Sequence, residues 1–154
     1  MEIRDFLAAE AVVVDFAAAS KKQLLQALSQ RIARVARQDE RTVFDVLLER
    51  ERLGTTGVGK GIAIPHGRIA NLDRIYGLFA RLKPSVDFES LDNEPVDLVF
   101  LLLAPAAAGA DHLKALARVS RLLRNPAQCE KLRTAPDAKA ALAILTAETA
   151  SQAA

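Results

Sequence analysis

The sequence predicts an α/β fold in which a mixed central β-sheet is flanked by helices on both faces. Three observations carry this. Val96 to Leu103 is almost continuously apolar and of strand length, as suits a central strand covered on both sides. The segments that follow Ser20, Asp39 and Asp111 repeat apolar residues at helical spacing. Strand-like and helix-like segments also alternate along the chain, the order that builds layered α/β structures.

Taken in order, Ala11 to Phe16 carries Val12, Val13 and Val14 and reads as a buried strand. Ser20 starts a helix, with Gln23 three residues on as the partner in a capping box. Leu24, Leu25, Leu28, Ile32 and Val35 form its apolar face, and Arg31, Arg34 and Arg37 its solvated one. Asp39 caps a second helix with Val43, Phe44, Val46, Leu47 and Leu48 on its apolar side. That helix ends in Glu49-Arg50-Glu51-Arg52, and Gly54 is placed to take the left-handed conformation just past it. Ile62-Ala63-Ile64 and Ile75 to Leu82 read as strands, the second broken by Lys83-Pro84. Asp92 to Pro95 is a turn before the central strand, which Pro105 closes. Asp111 is the expected N-cap of a helix with Leu113, Leu116, Val119, Leu122 and Leu123 as its stripe. Pro126 opens a short helix through Leu132, and Pro136-Asp137 starts a last one with Ala141, Leu142 and Leu145 inward. Thr146 to Ala154 has no strong apolar pattern and is expected to fray.

At 154 residues the chain is expected to form one domain, residues 1–154, with a substantial core. A formal net charge of +2 gives no argument for nucleic acid or a membrane surface. Cys129 is the only cysteine, which rules out an intrachain disulfide and a cysteine-based zinc cluster. There is no apolar run of membrane-spanning length and no secretion-signal pattern, so a cytoplasmic location is expected.

The chemistry points to one stretch, Gly54-Thr-Thr-Gly-Val-Gly-Lys-Gly-Ile-Ala-Ile-Pro-His66-Gly67, which opens with four glycines in eight residues. Such backbone is costly to order and is used where N–H groups approach a ligand; repeated N–H groups form an anion-binding concavity. Thr56, Gly57, Gly59 and Gly61 are therefore the expected phosphate-binding loop. Gly54-x4-Gly59-Lys60 matches the start of a nucleotide P-loop, but Gly61 stands where the Mg²⁺-binding hydroxyl belongs. The context is also reversed, with a helix before the motif and a strand after it.

The chain has two histidines. His66 follows Ile62 and Ile64 with the same parity and is expected at the rim where their strand ends, held between Pro65 and Gly67. His112 falls in the first turn of a helix, where free N–H groups and the helix dipole attract phosphate. If the rings meet, one can act as nucleophile while the other hydrogen-bonds phosphoryl oxygens, with Arg50 supplying permanent charge. Each also has a plainer reading, as a surface or core histidine or a helix-face arginine. No metal-ligand cluster and no Ser-His-Asp arrangement is visible.

The run from Leu53 to Gly67 closely resembles the active-site segment of IIA components of the bacterial phosphoenolpyruvate phosphotransferase system. It is most similar to the mannitol/fructose superfamily and, within it, to the nitrogen-regulatory branch. Asp92-Asn-Glu-Pro-Val-Asp-Leu-Val-Phe and His112-Leu-x-x-Leu-x-x-Val-x-x-x-Leu support the likeness over nearly the whole chain. The resemblance implies a mixed sheet flanked by helices, His66 as the phosphorylated residue, His112 as a second active-site histidine and Arg50 as the active-site arginine. It implies an HPr-like phosphocarrier as donor. It also implies regulatory targets such as sensor kinases or potassium-transport regulators, or a IIB domain in sugar-specific members. No cofactor or metal is expected, and self-association stays open. Lys60 departs from the asparagine often found there in regulatory members. The competing readings are a sugar-specific IIA, a nucleotide-binding protein acting through Lys60, and a non-catalytic binding module.

Overall fold

The computed structural model describes residues 1–147. Two 3-10 turns, Ile3–Asp5 and Ala9–Ala11, lead into strand β1 (Val12–Phe16). Helices α1 (Lys21–Ala36) and α2 (Glu40–Arg52) follow, then β2 (Gly57–Gly59), β3 (Ile62–Ala63), β4 (His66–Ile69), β5 (Tyr76–Val86) and β6 (Val96–Pro105). Helices α3 (Ala110–Leu123), α4 (Pro126–Thr134) and α5 (Ala138–Leu145) complete the order. The expected fraying over Thr146 to Ala154 falls mostly outside the described residues, since 148–154 are not among them.

The sheet is mixed, in the order β1-β5-β6-β3-β2, with β4 also on β6. β6 runs antiparallel to β5 and parallel to β3 and β4, and β1 is parallel to β5. Leu98 through Ala104 are fully buried, as their unbroken apolar sequence requires of a strand covered on both faces. Helices α2 and α3 lie on opposite faces. Gly67 and His66 are successive residues of a strand and so face opposite ways. Gly67 faces Val46 and Leu47 of α2, and His66 faces His112 of α3.

Several local expectations need correction. β5 does not stop at Lys83-Pro84 but continues to Val86. Its pairing with β6 lapses between Arg81 and Val86, so Pro84, which has no N–H to give, sits where the ladder asks for none. Gly54 is not in the left-handed helical region: its φ is 152°, and α2 closes instead with Leu53 and Gly54 N–H groups donating to the Arg50 and Glu51 carbonyls. The cap of α3 is Gly109, at φ 55°, and Asp111 lies inside the first turn. Leu113 is 63% exposed, because His112, Ala115, Val119 and Leu122 occupy the inward stripe and Leu113 is one position off it. At α1 the Ser20 hydroxyl accepts from Gln23 N–H as expected, but the Gln23 side chain accepts from Ala19 N–H, one residue before the cap. The Asp39, Asn125 and Asp137 side chains cap α2, α4 and α5.

The contact of α2 with β4 allows no side chain at Gly67: a Cβ there would lie 2.4 Å from Val46 Cγ1. Gly67→Ala is therefore expected to cost about 2 kcal/mol through overpacking against a side chain stiff at χ1. Thermal unfolding followed by circular dichroism should show a Tm lower by roughly 4–8 °C. Adding Val46→Ala should return most of it; an unchanged Tm in Gly67→Ala would mean that the helix can withdraw freely.

Candidate active site

β3 and β4 act as one strand along β6 with a joint at Ile64-Pro65. Ile62 pairs Leu98, Ala63 pairs Val99 and His66 pairs Leu102, so the offset stays at 36 (98 − 62, 99 − 63, 102 − 66). Across the joint the Pro65 carbonyl accepts from Leu102 N–H at 3.0 Å, and Ile64 N–H donates to Thr56 O at 3.0 Å. His66 thus keeps the face of Ile62 and Ile64, but it opens a strand instead of ending one.

His66 is half-buried. Its Nδ1 lies 2.8 Å from the Ile64 carbonyl oxygen. A carbonyl can only accept, so the proton sits on Nδ1 and the lone pair of the neutral ring sits on Nε2. Burial holds the His66 pKa below its ordinary 6.5; the Ile64 hydrogen bond opposes this, Arg50 adds to it and Glu51 opposes it. His112, in the first turn of α3, is 6% exposed, and its ring centroid lies 5.7 Å from that of His66 with the planes tilted by 46°. Burial lowers its pKa as well, followed by Arg68 and by His66. Its Nδ1 is buried without a hydrogen-bond partner among the described residues.

Arg50 comes from the last turn of α2 and donates from Nη1 to the Gly54 carbonyl at 2.8 Å, which fixes it beside the loop while its charge reaches His66. Arg68 went unnoticed in the sequence. It lies two residues beyond His66 on the same strand face, and that parity is the signal that could have found it.

The loop is built differently from expectation. Thr56 and Gly57 do not offer free N–H groups: Thr56 N–H donates to Glu51 Oε1 at 3.0 Å and Gly57 N–H to Thr55 Oγ1 at 3.0 Å. Gly57 and Gly59 form β2 against β3. A Cβ on Gly57 would lie 2.3 Å from Ser90 Oγ, and one on Gly61 2.7 Å from Asp97 Oδ1, so these glycines serve close packing. Glu51 was not anticipated either. It is 8% exposed, accepts from the Thr56 hydroxyl and pairs with Lys21 Nζ of α1 at 3.0 Å. Among the described residues no three His, Cys, Asp or Glu side chains converge as a metal site.

The site thus brings two neutral imidazoles, one half-buried and one buried, within the fields of Arg50 and Arg68. The family model described as "Phosphoenolpyruvate-dependent sugar phosphotransferase system, EIIA 2" matches residues 5–148. This chain belongs to that EIIA family. It is 57% identical over 145 residues to a nitrogen regulatory protein of Bradyrhizobium diazoefficiens, covering 94% of this chain and 95% of the relative. It is 40% identical over 115 residues to a fructose-specific EIIA component of Haloferax volcanii, covering 74% and 75%. The crystal structure of nitrogen regulatory protein IIA-Ntr from Neisseria meningitidis superposes with a TM-score of 0.89 at 36% identity, over 94% of this chain and 99% of that one. The EIIA fold is α/β with a mixed sheet, as expected from the sequence. Among the described residues no helix is long and apolar enough to cross a membrane.

Two predictions arise here. Glu51→Ala leaves Lys21, whose side chain is 16% exposed, without its buried carboxylate and strands the Thr56 hydroxyl. A loss of about 3 kcal/mol in urea unfolding is expected, with part of it recovered in Lys21→Met/Glu51→Ala. The second concerns pH. Both histidine pKa values are depressed on folding, so the native state binds fewer protons than the unfolded chain. Their contribution to stability is full above 6.5 and is lost as pH falls from there through the folded values. Unfolding free energy should drop between pH of about 7.5 and about 5.5, and drop less in His66→Gln/His112→Gln. Equal slopes in the two proteins would contradict the assignment.

Proposed function

We propose that the EIIA chain is a phosphohistidine carrier in which Nε2 of His66 accepts a phosphoryl group from the histidine of an HPr-like phosphocarrier. The observation that carries this is the Ile64 carbonyl on His66 Nδ1, with a second imidazole 5.7 Å away. The carbonyl fixes the tautomer whose bare nitrogen is the nucleophile. The depressed pKa keeps that nitrogen unprotonated at neutral pH. As the Nε2–P bond forms, the P–N bond to the donor ring breaks and its electron pair returns to that ring. Positive charge appears on the His66 ring and is stabilised by the Ile64 carbonyl. Such a transfer needs positioning and charge more than covalent help.

His112 is held neutral by burial. Its Nδ1 faces no donor or acceptor, so a proton on Nε2 avoids an unpaired buried N–H and provides a donor for a phosphoryl oxygen. Arg50 and Arg68 neutralise the arriving charge. Roughly two negative charges then appear on the surface that partners meet, an electrostatic switch. The relatives named nitrogen regulatory proteins favour regulatory targets for it, of the sensor-kinase or potassium-transport-regulator kind. Likeness to the fructose-specific EIIA component supports a second reading, transfer onward to a IIB domain during sugar uptake.

Incubation with phosphoenolpyruvate, enzyme I and an HPr-like carrier, followed by intact-mass measurement, tests the reading. Wild type should gain one phosphoryl group and His66→Ala none. His112→Ala and Arg50→Ala should gain it about 10–100-fold more slowly, the loss of one hydrogen bond or contact to a charged group. Phosphorylation of His66→Ala, or none of wild type with an active donor, would refute it. Rapid dephosphorylation by an added IIB domain would favour the sugar-transport reading.

A further inference from the structure

A cleft of about 660 Å³ lies between the β2–β3 turn and the C-terminal half of α3, and neither histidine is among its lining residues. Its apolar lining includes Val58, Ile62 and Ile64 from the strands and Ala117 from the helix. Its rim carries three cations, Lys60 from the turn and Arg121 and Arg124 from the helix, and one carboxylate, Asp92. The carboxylate is already committed, with its oxygens accepting from the Lys60 and Glu94 N–H groups at 2.9 and 3.1 Å. Among the described residues no carboxylate pairs with Lys60, Arg121 or Arg124. Three like charges around one apolar cleft repel one another, and a bound anion relieves that.

Lys60 is also held in a defined backbone conformation. It has φ 58°, a left-handed conformation that a long side chain rarely adopts. Two clamps hold it there. Its N–H donates to Asp92, and its carbonyl accepts from Arg133 Nη2 at 2.9 Å while Arg133 grips Asp97 through two further bonds at 2.8 and 3.0 Å. Both polar groups of the Lys60 backbone are thus tied, which sets the point from which the ammonium side chain leaves the turn. The size suits small-molecule sites, which combine an apolar lining with a few convergent polar groups.

We propose that this cleft binds a small amphipathic organic anion, a carboxylate or sulfonate with an apolar body. The anionic head lies among Lys60, Arg121 and Arg124, and the apolar body covers Val58 and Ala117 and reaches Ile62 and Ile64. Ile64 is also the residue whose carbonyl fixes His66, so the cleft and the histidine site share a wall. The proposal stands whether or not His66 is phosphorylated.

The probe is 1-anilinonaphthalene-8-sulfonate, titrated by fluorescence on the folded full chain. Saturable binding with one site is expected, with amide shifts in a ¹H–¹⁵N spectrum confined to residues 58–64 and 117–124 and to Asp92 with its neighbours. Arg121→Ala/Arg124→Ala should weaken it at least about 10-fold, as loss of charge-assisted contacts does. Ala117→Trp, a change at an exposed helix position, should abolish it by filling the cleft, with an unchanged circular dichroism spectrum. Arg34→Ala, on the exposed face of α1, should leave it unaltered. Octanoate should displace the probe, and inorganic phosphate at equal ionic strength should not. Affinity equal in all variants, shifts elsewhere on the chain, or displacement by phosphate but not octanoate would each overturn the proposal.

Discussion

The carboxylate of Glu51 is the contact on which the site rests. It lies at the end of α2, out of water, and joins three parts of the chain: Lys21 at the start of α1, Glu51 itself, and Thr56 at the mouth of the glycine loop. A buried ion pair earns little net stability, but breaking it is expensive. That asymmetry makes it a device for position. The loop cannot swing away from α2 without leaving the Thr56 N–H and hydroxyl stripped of their acceptor. Thr56 in turn holds Ile64 through its carbonyl, and Ile64 holds the His66 ring. A chain of four residues, Glu51, Thr56, Ile64 and His66, therefore transmits the geometry of the helix pair to the His66 ring.

The sheet supplies the second constraint. β6 is buried from Leu98 through Ala104 and is paired on both sides, by β5 on one and by β3 and β4 on the other. β3 and β4 both read their register from it with one offset. The joint at Ile64-Pro65 keeps that register, since Pro65 gives up only an N–H and still accepts through its carbonyl. His66 is held on the α3 face, where His112 takes a place in the inward stripe of its helix that another chain would fill with an aliphatic residue. Both imidazoles are partly withdrawn from water, and both are kept neutral for that reason.

Much of this was legible in the sequence. The helix starts at Ser20, Asp39 and Asp137 were readable because a side-chain oxygen three residues ahead of a free N–H is a local interaction. The central strand was readable from its composition, and the facing of His66 from its parity with Ile62 and Ile64. Readings failed where a local signal competed with a distant contact. Pro84 looked like a stop and lies in an unpaired stretch of a longer strand. Asp111 looked like a cap and yielded to Gly109. The glycines looked like an anion cradle, yet Gly57 and Gly61 are glycine because Ser90, Asp97 and Arg133 come too close for a Cβ.

The sequence by itself determined the elements, the order in which they alternate and the two histidines as the candidates for phosphoryl chemistry. These depend on hydrophobic period, capping chemistry and side-chain type, all properties of near neighbours in the chain. Only the tertiary structure decided that His66 and His112, 46 positions apart (112 − 66), stand 5.7 Å from each other. It alone decided that Glu51 is buried against Lys21, and that Lys60, Arg121 and Arg124 ring one cleft. The reason is physical: burial, desolvation and charge proximity arise from residues far apart in sequence, and no local pattern encodes which of them will meet.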